Sequence, residues 1–189
     1  MSSVTLLSVE DVANTIEYAS ANMNEHGWSH EAFKSTQVRL THLERDGVVL
    51  GSGERAKNER PKRAFNTEVR FRLVVQPHMT NSFGTMHGGC MATCIDTLSS
   101  YLIALHSSME VGQPWLTFGV TQSLSVQYLA PGNVGKWLEF VSTPMSVGKS
   151  LAVICTDVYE LEGENGGRTR RIATSQHAKV DVSGRLSKI

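Results

Sequence analysis

The stretch that most restricts the fold runs from Gly89 to about Ser107, where Met91, Ile95, Leu98, Leu102 and Leu105 recur at spacings of three and four. That is the period of a helix with one continuous apolar stripe, and the stripe has to be buried against something. Beyond this helix the chain is strand-like. Segments at Leu116 to Leu129, Trp137 to Pro144, Ser150 to Leu161 and Arg168 to Val182 are parted by Pro131-Gly132, by Gly148 and by Gly163 to Gly167. Consecutive strands joined by tight turns pair antiparallel. A further strand precedes the helix: Phe65, Thr67, Val69, Phe71, Leu73 and Val75 alternate with Asn66, Glu68, Arg70 and Arg72 until Pro77 stops the run. The expectation is an α+β architecture, with a long central helix wrapped by a curved antiparallel sheet.

Upstream, Ser8 to His26 places Val9, Val12, Ala13, Ile16 and Met23 near helical spacing, with Ser8 and Asp11 suited to a cap and Gly27 to a stop. A second short helix is expected from Ser29 to Lys34. These two form an N-terminal helical extension over residues 1–36, ahead of a main domain at 37–189. The chain turns extended at Val38. Asp46 to Arg63, rich in Gly, Lys, Arg and Glu, is expected to be a loop or a long hairpin tip.

At 189 residues the chain can bury one substantial core. Lys plus Arg and Asp plus Glu each number 18, so the net charge of zero gives no footprint for nucleic acid or for an anionic membrane. Three cysteines, Cys90, Cys94 and Cys155, make no even disulfide framework and suit a reducing compartment. No wholly apolar run approaches the ~20 residues that span a bilayer, so stable membrane insertion is not expected. Lys34 is the first basic residue and five acidic residues precede it, which fits neither a signal peptide nor a mitochondrial presequence. The expected location is cytoplasmic.

The segment that carries chemistry is Asn81 to Asp96, containing Phe83, Gly84, Thr85 and the run His87-Gly88-Gly89. Two glycines ahead of a helix expose backbone N–H groups at its positive end, an arrangement suited to an oxyanion. The same pair also serves as a plain strand-to-helix turn. Asp96 falls in the middle of a helix of apolar and small residues, where a carboxylate is costly unless it is paired or used. Its alternative is a hydrogen-bonded structural role. His87 is suited to contacting substrate or to bracing the glycine turn. His87, Cys90 and Cys94 complete no recognised Cys/His zinc-ligand pattern, so no metal site is expected, and neither a GxSxG elbow nor a phosphate or dinucleotide loop is present. No cofactor is implied. Gly88 and Asp96 are eight residues apart, roughly 12 Å along a helix axis. They cannot serve one carbonyl within one chain, so if both act on it the carboxylate comes from a two-fold partner.

With those residues the chain resembles the hotdog thioesterases of the PaaI type, and within them the acyl-coenzyme A thioesterase 13 branch, also called thioesterase superfamily member 2. The match runs through Asn81, Gly84, Thr85, His87, Gly88, Gly89, Ala92, Thr93 and Asp96, then Val120, Leu124, Val126, Tyr128 and Pro131, then Gly148 to Ala152, and finally Ala173 and His177. The resemblance implies a hotdog fold over roughly 37 to 182 and hydrolysis of fatty acyl-coenzyme A to free acid and coenzyme A. It implies a homodimer as the minimum, with a dimer of dimers as the fuller assembly. By it, Gly88 N–H polarises the thioester carbonyl and Asp96 of the partner subunit acts as general base or nucleophile. Asn81 and His87 orient substrate or water, and Thr121 positions the water. Lys149 and Ser150 in the turn after Gly148, together with Gly89, then meet the coenzyme A. Phe83 joins Met91, Ile95 and Leu98 as candidate walls of an apolar acyl slot, each of them first a core candidate. A non-catalytic acyl-coenzyme A binding or scaffolding protein is the alternative, since fold does not determine function.

Overall fold

The computed structural model describes residues 7–22, 32–33, 36–50 and 66–183. Its elements are α1 (Val9–Asn22), β1 (Arg39–Arg45), β2 (Val48–Val49), β3 (Thr67–Val74), α2 (Gly88–Ser100), β4 (Val120–Tyr128), β5 (Trp137–Val147), β6 (Leu151–Leu161) and β7 (Arg168–Val180). Of the expected helix at Ser29 to Lys34 only Ala32 and Phe33 are described, both helical, and most of the Asp46 to Arg63 stretch lies outside the described residues.

The strands form one seven-stranded sheet in the order β2-β1-β3-β5-β6-β7-β4, every neighbour antiparallel. The alternation expected around Phe71 holds: Thr67, Val69, Phe71 and Leu73 are buried and the residues between them are not. Leu138, Phe140, Ala152, Ile154, Val158 and Ala173 continue that inner surface, and Cys94, Ile95, Leu98 and Leu102 of the central helical segment pack into the same core. Each buried Val, Leu, Ile or Phe side chain among them contributes about 1.5–3 kcal/mol by leaving water. Helix α1 starts on the expected cap: Ser8 Oγ accepts the Asp11 N–H at 3.0 Å, while Asp11 Oδ2 reaches back to the Ser8 N–H at 3.3 Å. Its Val9, Val12, Ala13 and Ile16 join the core.

Two boundaries differ from expectation. The α-helical part of the central helix ends at Ser100, and Tyr101–His106 continues as a 3₁₀ helix with all six side chains buried. Three residues per turn stack Leu102 over Leu105, so the apolar spacing persists while the helix tightens. Gly88–His106 is long and apolar enough by composition to cross a membrane, and here its stripe is consumed by the core. The strand expected from Leu116 begins only at Val120. The backbone passes through positive φ at Trp115, Phe118 and Gly119. A Cβ on Gly119 would lie 2.6 Å from the Val180 carbonyl oxygen, so this entry to β4 requires glycine. Trp115 is fully buried and its Nε1–H donates to the Gly148 carbonyl at 2.8 Å, tying the loop to the β5–β6 turn.

Candidate active site

The start of α2 provides an unfilled donor. His87, extended at φ −61° and ψ 135°, is the N-cap, and its Nδ1 accepts the Gly89 N–H at 3.0 Å. His87 therefore braces the glycine turn. The Gly88 and Cys90 N–H groups meet no acceptor among the described residues. On the other side of the Gly88 residue, Tyr128 at the end of β4 donates its hydroxyl to the Gly88 carbonyl at 2.7 Å. A Cβ at position 88 would stand 3.4 Å from the Tyr128 ring, in ordinary van der Waals contact. Asn81 organises the loop before the helix: its Oδ1 accepts the Phe83 N–H at 2.9 Å and its Nδ2 donates to Thr85 Oγ1 at 3.0 Å.

The other end of α2 holds the carboxylate. Thr121 Oγ1 donates to Asp96 Oδ1 at 2.5 Å. His177 Nε2 stands 3.1 Å from the same oxygen and 2.9 Å from Thr121 Oγ1, and His177 Nδ1 is 2.7 Å from Ser99 Oγ. An ionised carboxylate only accepts, so Nε2 carries a proton facing the two oxygens. Because hydroxyl and carboxylate share one ring nitrogen, this is not the relay of a Ser-His-Asp triad, in which they bond opposite nitrogens. The His177 hydrogen bond holds the Asp96 carboxyl below the usual carboxylate range; burial opposes it, and the Thr121 hydrogen bond and the positive charge of Lys179 assist. The Asp96 side chain remains 41% exposed.

A β-bulge sets this geometry. Leu124, Val126 and Tyr128 pair across β4–β7 with His177, Ser175 and Ala173, and the β7 residues of these pairs are buried against the helix. By strict alternation Thr121 would point the other way. The register slips between Thr121 and Ser123, leaving Gln122 as the extra residue and pairing Thr121 with Lys179. The slip turns Thr121 back toward Asp96.

Within one chain, then, Gly88 and Asp96 lie apart, one beside Tyr128 and the other beside Thr121, at opposite ends of β4. Lys149 and Ser150 are exposed in the β5–β6 turn, where the Ser150 carbonyl accepts the Asp181 N–H at 3.0 Å, and Leu151 pairs with Val180, which also pairs with Val120 at the Asp96 end of the sheet. Of the acyl-slot candidates, Met91, Ile95 and Leu98 keep their first reading as core, at 4% exposure or less, because their helix face is the one packed on the sheet. Phe83 is 87% exposed at the tip of its loop. The cavity that does adjoin the glycine turn is about 320 Å³ and is lined by Met79, Thr80, His87, Gly89, Cys90 and Thr93, with Ala32 from the N-terminal segment. The three cysteines are free thiols.

The contacts missed from sequence are Tyr128, His177, Ser99, Ser100 and Lys179. Tyr128 and His177 stand in recognisable motifs but look like ordinary strand residues. In β7 both alternating phases are polar, so nothing in the string Thr174 to Lys179 marks Ser175, His177 and Lys179 as the inward set.

Comparison with known proteins bears on the whole arrangement. The family model of the thioesterase superfamily matches residues 83–166, which include Gly88, Asp96, Thr121 and Lys149. Human acyl-coenzyme A thioesterase 13 is 29% identical over 107 residues, 57% of this chain and 68% of that protein. Among solved structures, zebrafish thioesterase superfamily member 2 superposes with a TM-score of 0.62 at 20% identity, covering 92% of this chain and 98% of that one. The PaaI protein of the Escherichia coli phenylacetic acid degradation operon gives a TM-score of 0.58 at 13% identity, covering 93% and 96%. These two likenesses concern the fold, which is the hotdog.

Proposed function

We propose that this chain, a thioesterase-superfamily protein on the hotdog fold, hydrolyses fatty acyl-coenzyme A to free acid and coenzyme A. The observation that carries the reading is the open Gly88 N–H beside a capped Gly89. A donor held in place at a helix start, with no acceptor among the described residues, suits the oxygen of a thioester turning tetrahedral, where one such hydrogen bond is worth roughly 3–4 kcal/mol of barrier.

The carboxylate reaches that carbonyl from a second subunit. Strand β4 is the outer strand of the sheet, nine residues long and mostly exposed, an edge that invites pairing. Antiparallel pairing of two β4 strands about a two-fold near Leu124 brings the Tyr128 and Gly88 end of one protomer to the Thr121 and Asp96 end of its partner. In that dimer Asp96 and Thr121 of one subunit orient a water toward the carbonyl held by Gly88 of the other. Asp96 takes the proton as the tetrahedral species forms, and collapse expels the coenzyme A thiolate. The turn with Lys149 and Ser150 then comes from the subunit that supplies Asp96, with Lys149 available to the phosphates. The cavity beside His87 and Cys90 takes the acyl chain.

Release of free thiol from short-, medium- and long-chain acyl-coenzyme A tests the activity, and no release from any of them would refute it. Mixed dimers test the shared site. Gly88→Pro removes the donor at the first helical position, where proline is tolerated and the preceding residue is already extended. Gly88→Pro and Asp96→Asn homodimers should both be inactive, whereas their heterodimer keeps one site with both groups intact and should regain about half the activity of wild type.

A further inference from the structure

On the inward side of β7 the row Ala173, Ser175, His177 and Lys179 turns from apolar to charged. Lys179 is the unexpected member. It is only 4% exposed, yet its Nζ has one acceptor among the described residues, Ser100 Oγ at 2.8 Å. An ammonium group carries three donors and is expensive to bury without compensation. Among the described residues no carboxylate is in contact with it. The charge that compensates it is Asp96, and each acts on the other: burial pushes the Lys179 ammonium below its usual range while Asp96 pulls it back up, and Lys179 helps hold Asp96 down. Ser100 adds a mechanical link, because its hydroxyl, accepting from Lys179, donates to the Asp96 carbonyl at 2.6 Å.

We infer that Lys179 is a positioning residue of the reaction, a buried positive charge seated on Ser100 that acts through space to keep Asp96 a carboxylate aimed out of its own subunit. The inference rests on the thioesterase reading, in which Asp96 works in its ionised form. The surroundings of Asp96 leave the role to β7. Its ionisable neighbours are His177 and Lys179, β4 brings only the Thr121 hydroxyl, and α2 brings Ser99 and Ser100. The buried glutamates of β5 and β6, Glu139 and Glu160, are taken by arginines. His177 touches the carboxylate directly, and Lys179 places a buried ammonium group behind it.

Two full-length variants and two measurements test this. Lys179→Met removes charge and donor but fills the space; Lys179→Gln removes the charge and keeps a donor for Ser100. In both, the Asp96 carboxyl signal followed by carbon-13 NMR should titrate roughly half a unit to one unit higher than in wild type. The acid limb of kcat/KM should move to higher pH by the same amount, with the alkaline plateau changed less than about threefold. The direction follows from the charge: without the ammonium the carboxylate protonates earlier as pH falls. Folded variants whose Asp96 titration and acid limb stay at the wild-type position would overturn the inference, and so would a wild-type limb in Lys179→Gln alone, since that assigns the effect to the hydrogen bond. If the wild-type protein releases no thiol, the thioesterase reading fails, and the NMR titration still decides whether Lys179 governs Asp96.

Discussion

Among the described residues, two carboxylates are held below their ordinary range by cationic or hydrogen-bonding neighbours, and they have opposite surroundings. Glu139 of β5 is buried, and both its oxygens are filled: Arg72 Nε donates to Oε1 at 2.9 Å and Arg168 Nε to Oε2 at 2.7 Å, with the Arg168 guanidinium 4.4 Å from the Tyr159 ring. Burial alone would push the Glu139 carboxyl up, and the Arg168 and Arg72 hydrogen bonds bring it below the usual range. Asp96 is half-exposed, and its hydrogen bonds converge on Oδ1 alone. A lowered pKa therefore does not separate structure from chemistry here. What differs between them is Asp96 Oδ2, which accepts no hydrogen bond among the described residues.

That contrast can be broken from either side. The largest effect is expected at the saturated carboxylate. Glu139→Gln should cost about 3 kcal/mol, the low end for removing one member of a buried ion pair because both arginines still reach water. Denaturant unfolding measures it, and kcat of the folded fraction should be unchanged. Asp96→Asn should leave the unfolding midpoint nearly in place and lower turnover at least ~100-fold, about 2.7 kcal/mol of barrier. A large stability loss with little change in rate would merge the two carboxylates into one class. Tyr128→Phe removes the anchor on the Gly88 carbonyl and should slow turnover about fivefold, near 1 kcal/mol, read as a fall in kcat at unchanged melting temperature.

The smallest effect concerns acid stability. Both carboxyls have folded pKa values depressed below the unfolded ones, so their contribution is fully present above about pH 5 and is lost as pH falls through the unfolded and then the folded values. Stability measured from pH 6 down to pH 2 should decline in that window. Glu139→Gln should flatten the decline more than Asp96→Asn, since solvent screens the half-exposed group.

Much of the fold was legible because burial leaves a period. The stripe from Met91 to Leu105 and the alternation around Phe71 each report one buried face, and the turns at Gly148 and Gly163 to Gly167 stand between strands that pair antiparallel. The same logic is silent on Phe83. An apolar residue looks alike whether it faces a core, a ligand or water, so the string does not show that Phe83 stands exposed at a loop tip while Met91, Ile95 and Leu98 are core. The β4 boundary failed for a different reason: Trp115 to Gly119 is apolar enough for a strand, and only positive φ values and a tryptophan anchored to the β5–β6 turn exclude it.

By itself the sequence determined the helix, the succession of strands, the glycine pair ahead of the helix and the eight-residue separation that keeps Gly88 and Asp96 from a common carbonyl, because these depend on spacing along one chain. Only the tertiary structure decided which Gly N–H stays open, that a bulge turns Thr121 inward, and that His177, Ser100 and Lys179 gather around Asp96. Those facts depend on register between strands distant in sequence. A one-residue slip reverses which side chains meet, and no local pattern in a strand polar on both faces records it.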